Sequence, residues 1–215
     1  ATLSVGGRFD RFLEQTGLER TTEQLRLRST FNFPEIATFN VPRLTSDPRD
    51  SNAHTDEIAR ILPDLISEDP SGLILFSSWK QLNGVIKELP DLLKSSMLVQ
   101  GEDAKQALIA NHRENVFKGQ QSFLVGLSSF AEGLDLPGDL CRHVVIAKIP
   151  FSVPDDPVDQ SMAEWIEAQG RNAFYEISVP DAALKLVQAC GRLIRHESDY
   201  GKITLLDTRI VNKSY

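Results

Sequence analysis

The chain has 215 residues, 41% hydrophobic and 25% charged, with a formal net charge of −7. That length suits one large domain with a proper core, and no apolar run approaches the roughly 20 residues a membrane-spanning helix needs. The acidic balance argues against a protein that coats nucleic acid by bulk electrostatics, although it leaves room for a local groove. Two cysteines, Cys141 and Cys190, in unrelated contexts fit neither a disulfide framework nor a cysteine metal site, which points to a reducing cytoplasm. The first residues carry no leader, and the chain is expected to be cut from a longer protein.

Taken in order, Phe9, Phe12, Leu13 and Leu18 space out as an amphipathic helix over 8–20 that Gly17 would end. Residues 36–41 read as a strand closed by Pro42. The polar stretch 45–55 reads as a loop, with Thr55 or Asp56 capping a helix through Ile58, Ile61 and Leu62. A regular rhythm follows. Strands are expected at 73–78, 96–100, 122–127, 143–149 and 202–207, with helices at 79–89, 102–118 and 186–195. On the helix 102–118, Ala107, Leu108 and Val116 should face inward. Short apolar strands alternating with helices predict an α/β fold, a parallel sheet covered on both faces. The segment 151–181, with Pro154, Pro157 and Pro180 and acids at Asp155, Asp156, Asp159, Glu164 and Glu167, is expected outside the sheet around a helix from Met162 to Ala168. The whole of 1–215 reads as a single domain.

Two stretches carry candidate chemistry. In Gln188-Ala-Cys-Gly-Arg-Leu-Ile-Arg195, Arg192 and Arg195 would share one helix face, and paired guanidinium forks suit phosphate oxygens. Gln188 would sit one turn before Arg192, and Gly191 would allow close approach. Standing alone, such a pair reads more simply as a surface helix whose arginines meet acids, and only the full string shifts that balance. In Gly126-Leu-Ser-Ser-Phe-Ala-Glu-Gly-Leu-Asp135, a strand runs into small residues and then acids. That would put Glu132 and Asp135, with Gly133 turning between them, at the carboxyl edge of a parallel sheet, where ligands bind. A plain loop with solvent-facing acids reads the same way.

Together FAEGLDLPGD at 130–139 and QACGRLIR at 188–195 resemble motifs V and VI of superfamily-two helicases, in the wording of the DinG and XPD branch. Ala1-Thr2-Leu3 is similar to the tail of that branch's motif III, and residues 6–18 to the helix after it. LILFSSW at 73–79 is similar to motif IV, and GKITLLDTR at 201–209 to the closing strand. The resemblance runs along nearly the whole chain and is nearest to bacterial DinG-like helicases, including the YoaA subgroup.

The resemblance implies a RecA-like second motor domain of an ATP-dependent 5′-to-3′ DNA helicase serving repair or replication conflicts. It implies that Arg192 and Arg195 act as arginine fingers, with Gln188 contacting the phosphate or the neighbourhood of the attacking water. Glu132, Gly133, Asp135 and Gly191 would meet the nucleotide or couple it to motif VI. Ser77, Ser78, Trp79, Ser128 and Ser129 would contact single-stranded DNA without reading sequence. ATP and Mg²⁺ would be shared with a first motor domain, which in this branch also carries a four-cysteine 4Fe-4S cluster.

A monomer in the bacterial cytoplasm, associated with the nucleoid, is the matching expectation. No Gly-x-x-x-x-Gly-Lys-Ser/Thr loop occurs in the chain, so alone it should be inactive. The alternative is a non-hydrolysing RecA-like module that grips nucleic acid or a partner. A Rossmann enzyme would want a Gly-x-Gly-x-x-Gly turn, which is missing. Trp79 and Trp165 read more simply as packing, and His112, His143 and His196 are scattered without ligand spacing, so no metal is expected. Asp207 and Arg209 are expected to pair internally.

Overall fold

A computed structural model describes residues 3–4, 6–151 and 156–212. Ala1 and Thr2 of the motif III resemblance, and Pro154 and Asp155 of the acidic segment, lie outside the described residues. In chain order the elements are α1 (Asp10–Thr16), α2 (Phe33–Ile36), β1 (Ala37–Asn40), α3 (Ser51–Ile66), β2 (Ser71–Phe76), α4 (Trp79–Glu88) and α5 (Asp91–Lys94). Then come β3 (Met97–Val99), α6 (Lys105–Phe117), β4 (Ser122–Leu127), β5 (His143–Ile146), α7 (Pro157–Ala168), α8 (Val179–Cys190), β6 (Gly201–Leu205) and α9 (Arg209–Asn212).

The chain forms two compact units, residues 1–30 with 150–188 and residues 31–149 with 189–214. In the first, Ile166 of α7 packs with Ala173 and Ile177. There the side chain of Asp156 caps α7 by accepting the Val158 N–H, so the helix starts five residues before the expected Met162. Arg11 of α1 donates through Nε and Nη2 to both carboxylate oxygens of Asp181, at 3.0 and 2.9 Å.

The second unit is built on a six-stranded sheet in the order β1-β6-β5-β2-β4-β3, with every pair parallel. This is the RecA-like α/β sandwich that the strand and helix alternation predicts. The apolar runs earn their burial by lying in the interior of a covered sheet, and all six residues of β2 are buried. One face carries α3 and α4, where Ile58, Leu62, Leu82 and Val85 pack on Ile74, Phe76, Phe123, Val125 and Val145. The alternate residues Leu73, Leu75, Leu124 and Val144 point to the other face and are equally buried.

That second face carries α6. His112, on its buried side, bonds through Nδ1 to Ser122 Oγ at 2.9 Å, and Ser122 shares the face of Leu124. The connection from β4 to β5 lies there too, since Ser71, on the side of Leu73, donates Oγ–H to Asp139 O at 2.5 Å. Gly72 keeps β2 close to β5, because a Cβ there would stand 2.4 Å from His143 O.

Several boundaries differ from the sequence reading, for identifiable reasons. Helix α3 begins at Ser51 because Asp50, not Thr55 or Asp56, caps it through the Asn52 and Ala53 N–H groups. Strand β2 stops at Phe76, since Ser77 bends and Ser78 caps α4 by accepting the Gln81 N–H at 3.3 Å. Strand β5 ends at Ile146, and beyond it Asp207, fully buried, takes the Ile149 N–H at 2.9 Å. The expected pairing of Asp207 with Arg209 is present at 2.6 Å.

Three buried titrating groups set an acid limit on stability. Burial pushes the His54 and His112 rings below the usual histidine range. Each ring also has a fixed tautomer, because Nε2 of His54 faces Leu206 O at 2.7 Å and Nε2 of His112 faces Leu140 O at 2.8 Å, and a carbonyl can only accept. Against the cost of burial, hydrogen bonds from Ser46 and Thr45 hold Glu57 at about 2.

For the histidines the unfolded chain binds protons more readily, so stability is full above the unfolded value near 6.5 and is lost as pH falls below it. For Glu57, stability is full above its unfolded value near 4.5 and is lost as pH falls towards 2. Urea denaturation should therefore show a plateau above pH 7 and a decline below about 6.5, no steeper than about 1.4 kcal/mol per pH unit for each histidine. A midpoint that rises on acidification to pH 5.5 would contradict this.

Candidate nucleotide and DNA site

The connection from β4 to β5 is where the site is built. Both strands are parallel and β2 lies between them, so the chain leaving the carboxyl end of β4 must return to the amino end of the sheet. It first turns through a short 3₁₀ segment, Ser128–Ala131. Gly126 makes this turn possible, because a Cβ there would stand 2.6 Å from the Phe130 ring that covers it. Gly133 then adopts φ +71°, a left-handed turn that glycine takes without strain. Leu134 and Leu136, each 1% exposed, pin the returning chain to the second face of the sheet.

Glu132 and Asp135 are exposed on this return; Glu132 O meets Lys105, the first residue of α6 at the carboxyl edge, and Asp135 O meets Arg113 two turns further along that helix. Ser128 and Ser129 remain at that edge.

The arginines are not on a helix. Helix α8 ends at Cys190, Gly191 and Arg192 form a turn, and Arg195 lies in a bend. Two short-range bonds close that turn, Arg192 N–H to Ala189 O and Leu193 N–H to Cys190 O, both 3.1 Å. Asp199, 2% exposed, then draws the chain away from helical geometry by accepting the Arg195 and His196 N–H groups at 2.7 and 2.8 Å. Its other oxygen takes the Gly138 N–H at 3.0 Å and so ties the turn to the return connection. Between the arginines, Leu193 and Ile194 are buried, with Leu193 against the bare backbone of Gly201.

Both guanidinium groups converge on one atom. Arg192 Nη1 donates to Leu134 O at 3.0 Å and Arg195 Nη2 donates to the same oxygen at 2.7 Å. Arg195 Nε also lies 3.6 Å from Asp135 Oδ1, an ion pair at a carboxylate that stays 71% exposed. The buried Nε atoms of both arginines find no hydrogen-bond acceptor among the described residues. Burial and then the neighbouring Arg195 push Arg192 below the usual guanidinium range, with Glu132 and Asp135 opposing. Two crowded cations thus share one carbonyl acceptor, with an exposed carboxylate beside Arg195.

Gln188 is exposed at the end of α8 and belongs to the first unit, and Gly191 is exposed in the turn. At the carboxyl edge, Ser77, Ser78 and Ser129 are exposed and Ser128 is half-buried. Trp79 is 44% exposed and its ring edge lies over Gly101, 3.6 Å from where a Cβ would sit, so the expected packing role is only half met. Helices α4 and α6 start at this edge, and Lys80 bonds Asn52 at the start of α3, so three helix N-termini gather there. Asp199, Lys105 and Arg113 are the residues that motif reading misses. Among the described residues no cluster of His, Cys, Asp or Glu could hold a metal, and burial pushes the thiols of Cys141 and Cys190 up to about 12 and 11.

Residues 63–215 match the family described as helicase C-terminal domain. The chain belongs to that family. Its relatives include the ATP-dependent DNA helicase DinG of Photobacterium profundum, 42% identical over 220 residues, covering all of this chain and 32% of that protein. The ATP-dependent DNA helicase YoaA of Haemophilus influenzae is 34% identical over 215 residues, covering all of this chain and 33% of that protein. The chain thus spans about a third of the length of the curated relatives it matches.

Among solved structures, an XPD helicase superposes with a TM-score of 0.62 at 21% identity, over 81% of this chain and 32% of that one. An apo XPD structure superposes at 0.63 with the same identity, over 81% of this chain and 36% of that one. Membership of the helicase C-terminal family and the likeness to DinG and YoaA read from the motifs are therefore established, and the XPD structures share the fold.

The three hydrogen bonds of Asp199 give this domain a measurable prediction. Asp199→Ala should lower the unfolding free energy by about 2–4 kcal/mol, since it leaves three backbone N–H groups without their acceptor. A loss below half a kilocalorie in urea denaturation would show that the turn holds itself in place.

Proposed function

We propose that this domain is the second motor domain of an ATP-dependent DNA helicase, supplying two arginine fingers to a triphosphate held mainly by a first motor domain. The observation that carries the reading is the convergence of Arg192 and Arg195 on Leu134 O, with both buried Nε groups lacking a hydrogen-bond acceptor among the described residues and the Asp135 carboxylate 3.6 Å from that of Arg195. Guanidinium groups held before the reaction, in a partly desolvated pocket, stabilise charge as it spreads over the transferring phosphoryl oxygens. Such a pair serves little purpose in a module that only binds. ATP supplies the phosphoanhydride whose cleavage drives movement; Gly191, Glu132, Gly133 and Asp135 would line its approach, and Mg²⁺ would be held by the first domain.

Single-stranded DNA is expected along the carboxyl edge. There Ser77, Ser78, Ser128 and Ser129 would donate to phosphates and Trp79 would stack on a base. Movement in the 5′-to-3′ sense, action in repair or replication conflicts, a monomeric state and a cluster in the parent protein follow from the kinship with the DinG branch.

In the parent protein, Arg195→Ala should cut DNA-stimulated ATP turnover by about 10³-fold while single-stranded DNA affinity changes little. Unchanged turnover would favour a non-hydrolysing module. Trp79→Ala should do the reverse, weakening single-stranded DNA binding about tenfold regardless of sequence. The domain alone should show no DNA-stimulated ATP hydrolysis.

A further inference from the structure

Helix α6 contributes to none of the motifs read from the sequence, yet it grips the return connection by three backbone carbonyls. Lys105 Nζ donates to Glu132 O at 2.6 Å, Arg113 Nη2 to Asp135 O at 3.4 Å, and His112 Nε2 to Leu140 O at 2.8 Å. The ammonium of Lys105 also sits 5.3 Å from the centre of the Phe130 ring. Leu134 O, the shared acceptor of Arg192 and Arg195, lies between the first two of these anchored carbonyls.

A carbonyl orients two guanidiniums only if its own peptide plane is held. The plane of Leu134 follows Gly133 at φ +71°, and a Cβ at Gly133 would meet nothing within 4 Å, so neither sterics nor packing at that residue fixes the plane. The side chain of Leu134 is buried, which fixes the position of the residue but leaves the direction of its carbonyl to the neighbouring peptides. Lys105 and Arg113 supply that restraint from either side. Both are exposed cations that each spend one donor on a backbone oxygen of the turn, a use that makes sense where a backbone plane has work to do.

We propose that Lys105 and Arg113 are positioning residues for the arginine pair. They hold the Glu132–Asp135 turn so that Leu134 O presents both guanidiniums in the geometry a phosphate requires. The proposal rests on the reading of Arg192 and Arg195 as phosphate-binding groups. Because fingers act on the transition state, misplacing them lowers kcat more than it raises KM. Lys105 touches Phe130 as well, so the same clamp reaches the turn that bears Ser128 and Ser129.

The test uses the full-length parent protein with a Lys105→Ala/Arg113→Ala double variant, a Lys105→Arg/Arg113→Lys double variant and Arg195→Ala. In the alanine variant, kcat for DNA-stimulated ATP hydrolysis should fall about tenfold to a hundredfold, with KM for ATP and single-stranded DNA affinity within about twofold of the parent. The conservative variant, which keeps both charges and most of their reach, should recover most of the loss. If the alanine variant turns over normally while Arg195→Ala is inactive, the clamp is overturned and the fingers stand. If Arg195→Ala also turns over normally, the phosphate-binding reading itself fails. A fall in kcat accompanied by an equal loss of DNA affinity and of thermal stability would make Lys105 and Arg113 structural supports and overturn the proposal.

Discussion

The shared acceptor at Leu134 O is the contact on which the candidate site depends. Two guanidiniums repel one another, and each costs free energy to desolvate, so a pair in a half-buried pocket needs a fixed negative dipole between them. The Leu134 carbonyl supplies one, with the Asp135 carboxylate 3.6 Å from Arg195 Nε and still open to solvent. A carbonyl is a weaker partner than a carboxylate. It can therefore hold the arginines in place and still yield them to a phosphate, whereas a bidentate acid such as the one Arg11 meets in the other unit would compete strongly.

The parallel sheet explains why these parts meet. Since β4 and β5 flank β2 and run the same way, the connection must cross one face of the sheet from the carboxyl edge to the amino edge. Its first residues stay among the helix N-termini at the carboxyl edge, where the DNA path is proposed. Its middle passes under the turn after α8, which Leu193 seats on Gly201 and Asp199 ties to Gly138. One stretch of about ten residues thus runs from the proposed DNA edge to the proposed phosphate site, and α6 lies alongside it with Lys105, His112 and Arg113 in contact.

Much of this was legible beforehand, and the reasons differ by element. Strands such as Ser122–Leu127 are nearly continuous apolar runs, which suit a doubly covered sheet, so their existence and their parallel direction followed from composition and rhythm, while their order did not. The arginines and the acid–glycine turn were legible as motif wording. The helix end at Cys190 was signalled only by Gly191, which the expected helix over 186–195 ran through, and the bond that holds the chain beyond the turn comes from Asp199, outside any local pattern. The clamp residues were invisible for a related reason: Lys105 and Arg113 act on carbonyls, which every residue has, so no partner residue type signals the contact. The caps at Asp50 and Asp156 lay within reach of a local rule, but prolines and polar residues around them read equally well as loop.

The most direct test is a crystal structure of the parent protein with ADP and a planar metal fluoride that mimics the transferring phosphoryl group. The account predicts that at least one nitrogen of both Arg192 and Arg195 lies within hydrogen-bond distance of the fluoride or the β-phosphate, with Lys105 and Arg113 still on Glu132 O and Asp135 O. A complex in which both arginines stay on Leu134 O while other side chains neutralise the fluoride would contradict it.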